Sequence, residues 1–280
     1  MLSGLLMVTL AAASWGTWSL LLRPTGLPAT VTTPIIFLVM GLVTLPIALR
    51  RPRATWDRTT VGLLCANSLF DALNVLAFFG AIATTTVTIA VLTHYVAPIL
   101  IALVAPRIDR VATPGARPAA VAALLGLVVM LEPWREVPSG ALTGALLGLL
   151  SACCYAGNVF TVRRLAARIG PVRAMSYHSL IAGALTAPLL LGYTDAITTY
   201  DLTLLTFGAV TLGAGSGILF VVGLARIESA RAAVLTYAEP IVAVIVGVLV
   251  WHEPLRPLTA LGGAVVLGAG IHVARQAATS

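Results

Sequence analysis

Asn67, Asp71 and Asn74 fall at i, i+4 and i+7, a spacing that puts three polar groups on one face of a helix, with Phe78 continuing the stripe. The 48 residues from Thr59 to Pro106 carry one formal charge, that of Asp71. An ionisable side chain in such surroundings is costly to bury and marks a substrate or proton path. Ser151, Tyr155 and Asn158 repeat the pattern on a second helix. Trp15 and Trp18 lie inside a third apolar run, with Thr17 between them; an aromatic face opposite an amide suits a ligand with a flat or apolar body and a polar head. Packing alone would also account for Trp18, and Thr17 could bond its own backbone instead of a ligand. His94 and Tyr95 precede Pro98, and Tyr237 and Glu239 precede Pro240. A proline inside a helix removes one backbone hydrogen bond and frees a carbonyl one turn back, so Pro98 and Pro240 are expected hinges. Glu239 could hold a cationic group, exchange a proton, or serve only as a structural hydrogen-bond donor. His178, about one turn from Arg173, is of the type that changes charge near neutral pH, or it packs at an interface. Ser216 sits among Gly213, Gly215 and Gly217, where a loosened helix could turn backbone polar groups toward a cavity. Gly140, Gly144 and Gly148 form a small-residue ridge that lets another helix approach closely. No zinc-like His/Cys spacing, phosphate loop or nucleophile elbow occurs, and Cys153 and Cys154 are adjacent, so no metal, cofactor or enzymatic activity is expected.

The elements that must position these groups follow from composition. At 59% hydrophobic and 10% charged over 280 residues, the chain cannot make a soluble fold with a polar coat. It reads as an all-α integral membrane protein. A crossing needs about 20 apolar residues, and ten fit. They are expected at Leu2 to Leu22, Thr33 to Leu49, two within Thr59 to Pro106 broken near Ala83 to Thr86, Pro118 to Leu131, Ser139 to Val162, Ala174 to Tyr193, Leu202 to Ala225, Ala230 to Trp251 and Leu258 to Ala274. The fifth is short. Pro34 is expected in the first turn of the second span, where a missing N–H costs little. The first run is too long, and lacks the cleavage pattern, for a removable signal peptide.

The net charge of +7 comes from 17 arginines and no lysine. They lie in short clusters between uncharged runs, which argues for topology and against a nucleic-acid partner. Fourteen fall on one side: Arg50, Arg51, Arg53, Arg58, Arg107, Arg110, Arg117, Arg163, Arg164, Arg168, Arg173, Arg226, Arg231 and Arg275. Arg23, Arg135 and Arg256 fall on the other, with Glu132, Glu136, Asp195, Asp201 and Glu253. Both termini are therefore expected in the cytoplasm, as in a bacterial-type inner membrane protein.

The second half restates the first in five collinear blocks. At an offset of 143, Gly80 falls on Gly223 and Ala90 to Thr93 on Ala233 to Thr236; at 142, Tyr95 and Pro98 fall on Tyr237 and Pro240, and Gly41, Thr44 and Pro46 on Gly183, Thr186 and Pro188. Trp15 matches Tyr155 and Arg23 matches Arg163 at 140, and Gly126 matches Gly263 at 137. Five crossings is an odd number, so the second copy enters the membrane from the opposite side. The expectation is two inverted five-helix repeats, 1–133 and 137–275, with 276–280 as a short cytoplasmic tail. Such inverted halves are characteristic of secondary transporters with a midplane site.

Ala13-Ser14-Trp15-Gly16, the segments Tyr95 to Pro98 and Tyr237 to Pro240, and His252-Glu253-Pro254-Leu255 resemble the two EamA repeats of the drug/metabolite transporter superfamily, over essentially the whole chain. Within it the sequence is similar to the YddG-type amino acid exporters. His252 departs from the family's usual glycine, and Ala97 stands where the second copy has Glu239. The resemblance implies ten helices and export of small metabolites. An embedded acid in the first span, as in exporters of cationic drugs of the small multidrug type, is absent, and no lysine or mid-helix arginine is placed for a phosphorylated substrate. A neutral or zwitterionic substrate remains, with aromatic and other hydrophobic amino acids foremost. Asp71 and Glu239 leave proton coupling and facilitated export equally open. Export of cationic drugs or other metabolites by proton antiport is the alternative, and a channel or membrane enzyme a distant one. The expected partners are the substrate, the lipid bilayer and, under coupling, protons; a monomer suffices.

Overall fold

The computed structural model describes residues 2–51, 54–110, 113–135 and 139–279, the side chains of 277–279 excepted. Arg53 and Glu136, used above for orientation, lie outside the described residues. Among the described residues nine helices are long and apolar enough to cross a membrane: α1 (Leu2–Thr25), α2 (Ala29–Arg50), α3 (Arg58–Thr84), α4 (Val87–Ile108), α6 (Ala141–Ile169), α7 (Pro171–Gly192), α8 (Thr199–Leu224), α9 (Ser229–Leu249) and α10 (Pro257–Gln276). A shorter apolar helix, α5 (Ala116–Leu131), makes the tenth. At 1.5 Å per residue the 16 residues of α5 are about 24 Å long, short of the roughly 30 Å hydrocarbon core.

Local chemistry sets the ends. The α3/α4 break falls where the threonines interrupt the run: α3 stops at Thr84, and the Thr86 side chain caps α4 by accepting from the Ile89 amide. Helix α6 runs seven residues past its expected end because nothing breaks it before Gly170 (φ +84°) and Pro171. Helix α2 starts at Ala29, earlier than expected, so Pro34 lies inside the helix and not in its first turn. The final helix continues to Thr279, through most of the expected tail.

The helices sort their residues by size. Large aliphatic side chains such as Leu42, Leu69, Leu142 and Leu146 point outward, whereas alanine dominates the interior. Against lipid this is the favourable order, because apolar tails give no hydrophobic drive between helices and small residues let backbones approach. Thr84, Thr85 and Thr93 of the α3–α4 hairpin occupy the ridge of Gly140, Gly144 and Gly148. A Cβ at any of the three would collide with them.

The packing is symmetric under exchange of α1–α5 with α6–α10. Helix α3 packs on α6 as α8 packs on α1, α4 on α6 as α9 on α1, and α2·α7, α4·α9 and α5·α10 pair with each other. At α2·α7 the reciprocity is residue by residue. Gly41 seats Leu180 and Gly183 seats Leu38, both pairs related by the offset of 142. The Thr44 hydroxyl donates to Met40 and Gly41 carbonyls, and Thr186 does the same to Ala182 and Gly183. Residue 41 against 180 and 38 against 183 is an antiparallel register, so equivalent helices run in opposite directions.

Among the described residues four crossings are interrupted along their length. Helix α1 breaks at Gly16-Thr17-Trp18, α4 at Tyr95-Val96 and α9 at Thr236-Tyr237, and α8 widens into a π-helical stretch, Ala209–Gly215. Pro98 and Pro240 sit in the first turn of the segments that resume after the α4 and α9 breaks. There a proline's missing N–H is not needed, so the prolines start new segments where kinks inside continuous helices were expected.

At the arginine-rich end, Asp57 caps α3. The Thr60 hydroxyl and amide both donate to its Oδ1 at 2.7 Å. Those bonds, the hydroxyl's first, hold the carboxyl down at about 2, below its usual 3.8. A carboxyl lowered on folding stabilises fully above its unfolded value and loses that contribution as pH falls through the folded one. Hydrogen exchange in the first turn of α3 should therefore be faster in Asp57→Ala than in wild type at pH 6, with the difference shrinking from pH 4 to pH 2. At the α4·α9 crossing, Tyr237→Phe removes the donor that reaches the Tyr95 carbonyl. It should destabilise the protein by about 1 kcal/mol in reversible unfolding from mixed micelles.

Candidate functional site

The interruptions meet around one cavity of about 330 Å³, a size that encloses a small molecule. Backbone carbonyls at the α8 and α4 breaks are taken up by side chains. The π-helical stretch of α8 exposes the Leu212 carbonyl, which accepts from the Trp15 indole N–H at 3.0 Å. Ser14 donates to Ser216 at 2.6 Å, and Ser216 donates to the Thr211 carbonyl at 3.2 Å. Across the other crossing the Tyr237 hydroxyl donates to the Tyr95 carbonyl at 2.8 Å. The broken levels of α1 and α8, and of α4 and α9, are thus stitched in pairs.

One wall is aromatic. Trp15 meets Phe220 at a centroid distance of 5.2 Å, and Phe37, Met40 and Ile36 of α2 continue the apolar surface beside Val75. Polar groups line the cavity as well. The Ser151 hydroxyl donates to Asn74 Oδ1 at 2.7 Å and lies 2.8 Å from His94 Nδ1. Since that hydroxyl has one proton, it accepts from His94, which places the ring proton on Nδ1. The imidazole is boxed by Phe78, Tyr95 and Tyr155 at centroid distances of 4.9, 5.3 and 5.5 Å. The Tyr95 hydroxyl faces Glu239, at the start of the resumed α9 segment. Asp71 Oδ2 lies 3.0 Å from His178 Nε2, and His178 Nδ1 lies 2.8 Å from the Ala174 carbonyl.

Of the residues singled out from sequence, Trp15, Trp18, Asp71, Asn74, Phe78, His94, Tyr95, Tyr155, Asn158, His178 and Glu239 line the cavity. Four do not. Thr17 bonds the Ser14 carbonyl at 2.6 Å, and Ser216 and Tyr237 support the broken backbones from behind. Asn67 is fully buried one turn below Asp71, where the Thr161 hydroxyl donates to its Oδ1 at 2.9 Å. Pro98 and Pro240 shape the crossing and are not among the lining residues. Sequence reasoning missed Thr32, Thr33, Phe37 and Met40 of α2, Met175 of α7, and Leu212 and Phe220 of α8. Helix α2 has no polar stripe to mark its inner face, though Pro34 beside Thr33 was a usable sign of a loosened helix at the cavity. For Leu212 the sign was the cluster of glycines just after it.

The arginine-rich ends are tied by charge. Asp109 at the end of α4 accepts from Arg163 of α6 at 3.2 Å and from the Ser229 amide opening α9 at 3.0 Å; Arg168 pairs with Asp57 at 3.0 Å. At the other end Arg23 pairs with Glu253 at 2.7 Å and lies over the Trp251 ring.

Comparison with known proteins bears on this arrangement. The sequence pattern of the EamA-like transporter family matches residues 142–274. An uncharacterized transporter of Archaeoglobus fulgidus is 31% identical over 283 aligned positions, covering 95% of this chain and 94% of that protein. The uncharacterized transporter YcbK of Bacillus subtilis is 30% identical over 155 positions, 51% of this chain and 49% of its own. A crystal structure superposes with a TM-score of 0.82 at 20% identity, covering 99% of both chains, and shares the fold.

The Trp15 contact is testable in isolation. Trp15→Phe keeps a ring against Phe220 but leaves the Leu212 carbonyl without its donor. Amide exchange across residues 209–215 should accelerate about tenfold, the equivalent of roughly 1.4 kcal/mol, with no comparable change in α5 or α10.

Proposed function

The chain belongs to the EamA-like transporter family, and we propose that it exports small neutral or zwitterionic metabolites, aromatic and other hydrophobic amino acids foremost, by alternating access to the central cavity. The observation that carries the reading is the mixed lining of the cavity: Trp15, Phe37, Met40 and Phe220 together with Asn74, Asn158, Asp71 and Glu239. A hydrophobic amino acid likewise joins an apolar body to a polar, charged head.

Residues 1–133 and 137–275 act as two inverted repeats, and the cavity lies between them. The protein sits in a bacterial-type cytoplasmic membrane with both termini inside, following the arginine bias. Helices α3 and α4 of one copy and α8 and α9 of the other gate the cavity. The Asp109, Arg163 and Ser229 contact closes the arginine-rich end, because it joins α4, α6 and α9 there and must break for that end to open. A monomer suffices. The second reading, a hydrophobic cation expelled by proton antiport, is favoured by the two acids on the lining, Asp71 and Glu239.

Proteoliposomes holding the purified protein should take up labelled phenylalanine and leucine saturably, each competing with the other. Trp15→Ala should weaken phenylalanine competition by at least about tenfold and leucine competition less, because ring contacts add to area burial. Absence of amino acid flux, in vesicles that do move a cationic dye or another neutral metabolite, would overturn the substrate assignment.

A further inference from the structure

His178 is held by two groups that each accept hydrogen bonds. Nδ1 lies 2.8 Å from the Ala174 carbonyl, which can only accept, so Nδ1 carries a proton. Nε2 lies 3.0 Å from Asp71 Oδ2. Without a proton between them, two lone pairs would face each other in a medium that cannot screen them. One proton between Nε2 and Oδ2 satisfies both atoms. The proton belongs to the pair and not to either residue.

The two partners are unequally placed. The Asp71 side chain is 19% exposed and lines the cavity, while that of His178 is 5% exposed behind it. Among the described residues no other hydrogen bond to the Asp71 carboxyl is made, so a ligand entering the cavity meets a carboxyl group held by His178.

We propose that Asp71 and His178 form the exchange point of the cavity: a substrate's primary ammonium displaces the proton shared by the pair, and one proton leaves for each ammonium bound. This rests on the amino acid reading above and makes export a proton antiport. The balance is complete. The pair with its shared proton is neutral and the ammonium brings one positive charge. Afterwards Asp71 carries one negative charge opposite the ammonium, His178 is uncharged with its proton on Nδ1, and the released proton carries the positive charge away. His178 thus acts as a tethered competitor for the carboxylate the substrate needs. A proton gradient directed into the cell would reload the pair and expel the amine.

The other titratable groups facing this space are Tyr155 on α6, His94 and Tyr95 on α4, and Glu239 on α9. Helices α1, α2 and α8 bring none to the lining. Arg173, in the first turn of α7, spends its guanidinium on the Arg51 and Ile169 carbonyls.

The test uses the full chain in nanodiscs, with L-phenylalanine and phenethylamine as probes, by calorimetry in buffers of different ionisation enthalpy. Linkage is reciprocal, so release of one proton requires affinity to fall by up to about tenfold per pH unit on the acid side. Wild type should release about one proton per probe there. His178→Gln still donates to Asp71 but cannot titrate; it should bind with pH-independent affinity and release none. Glu239→Gln, whatever its affinity, should keep the one-proton release. Binding without proton release by wild type at every pH, or release that survives in His178→Gln, would overturn the proposal. Should neither probe bind, the amino acid reading fails, and the exchange point is judged on substrate-free protein. Infrared pH-jump spectra must then show one titration step that both Asp71→Asn and His178→Gln abolish, and a step surviving either variant overturns it.

Discussion

A carbonyl oxygen released from its helix inside a bilayer finds no water, so the donor that reaches it fixes the geometry around it. The central architecture follows from that constraint. Among the described residues four crossings give up regular hydrogen bonding along their length, and specific side chains answer: Trp15 at Leu212, Ser216 at Thr211, Tyr237 at Tyr95. The cavity exists because these helices are broken. Two of these repairs cross between helices, Trp15 of α1 to α8 and Tyr237 of α9 to α4, so those breaks are held in pairs.

The repairs also explain why the polar side chains have definite roles despite sharing so small a space. Those behind the wall, such as Ser216 and Tyr237, spend their hydrogen bonds on backbone. Those on the wall spend theirs on one another: Ser151 links His94 to Asn74, and His178 holds Asp71. A ligand therefore competes for groups that already have partners, and exchange of partners is the natural currency of the site.

Much of this was legible in the sequence. Apolar runs located the nine spanning helices and the shorter α5 found among the described residues, the threonine pair placed the α3/α4 break, and the polar stripe of α3 brought Asp71 and Asn74 to the cavity. The limits have physical causes. The stripe's third member, Asn67, lies one turn deeper among packed helices, because spacing names a face and not how far along it the cavity extends. Helix α2 is apolar all round, so Phe37 and Met40 carry no signal that separates a cavity wall from a lipid-facing or packed surface. Pro34 was expected in a first turn because the apolar run was taken to begin at Thr33; the helix starts earlier, at Ala29, after Pro28. The depth of the breaks depends on what the neighbouring helix offers a freed carbonyl, which only packing decides.

Ala97 and Glu239 occupy equivalent places in the two halves, one bearing a methyl group and the other a carboxyl. Two separate copies of one gene product, associated about a two-fold axis, could not set a lone acid there. Symmetry would supply its twin across the axis, and the two would repel or share a proton. Once both halves lie on one chain they diverge independently, and a carboxyl group can stand at one of two otherwise equivalent places. The two faces of the cavity are then chemically different, so a molecule crossing it can be oriented as well as enclosed.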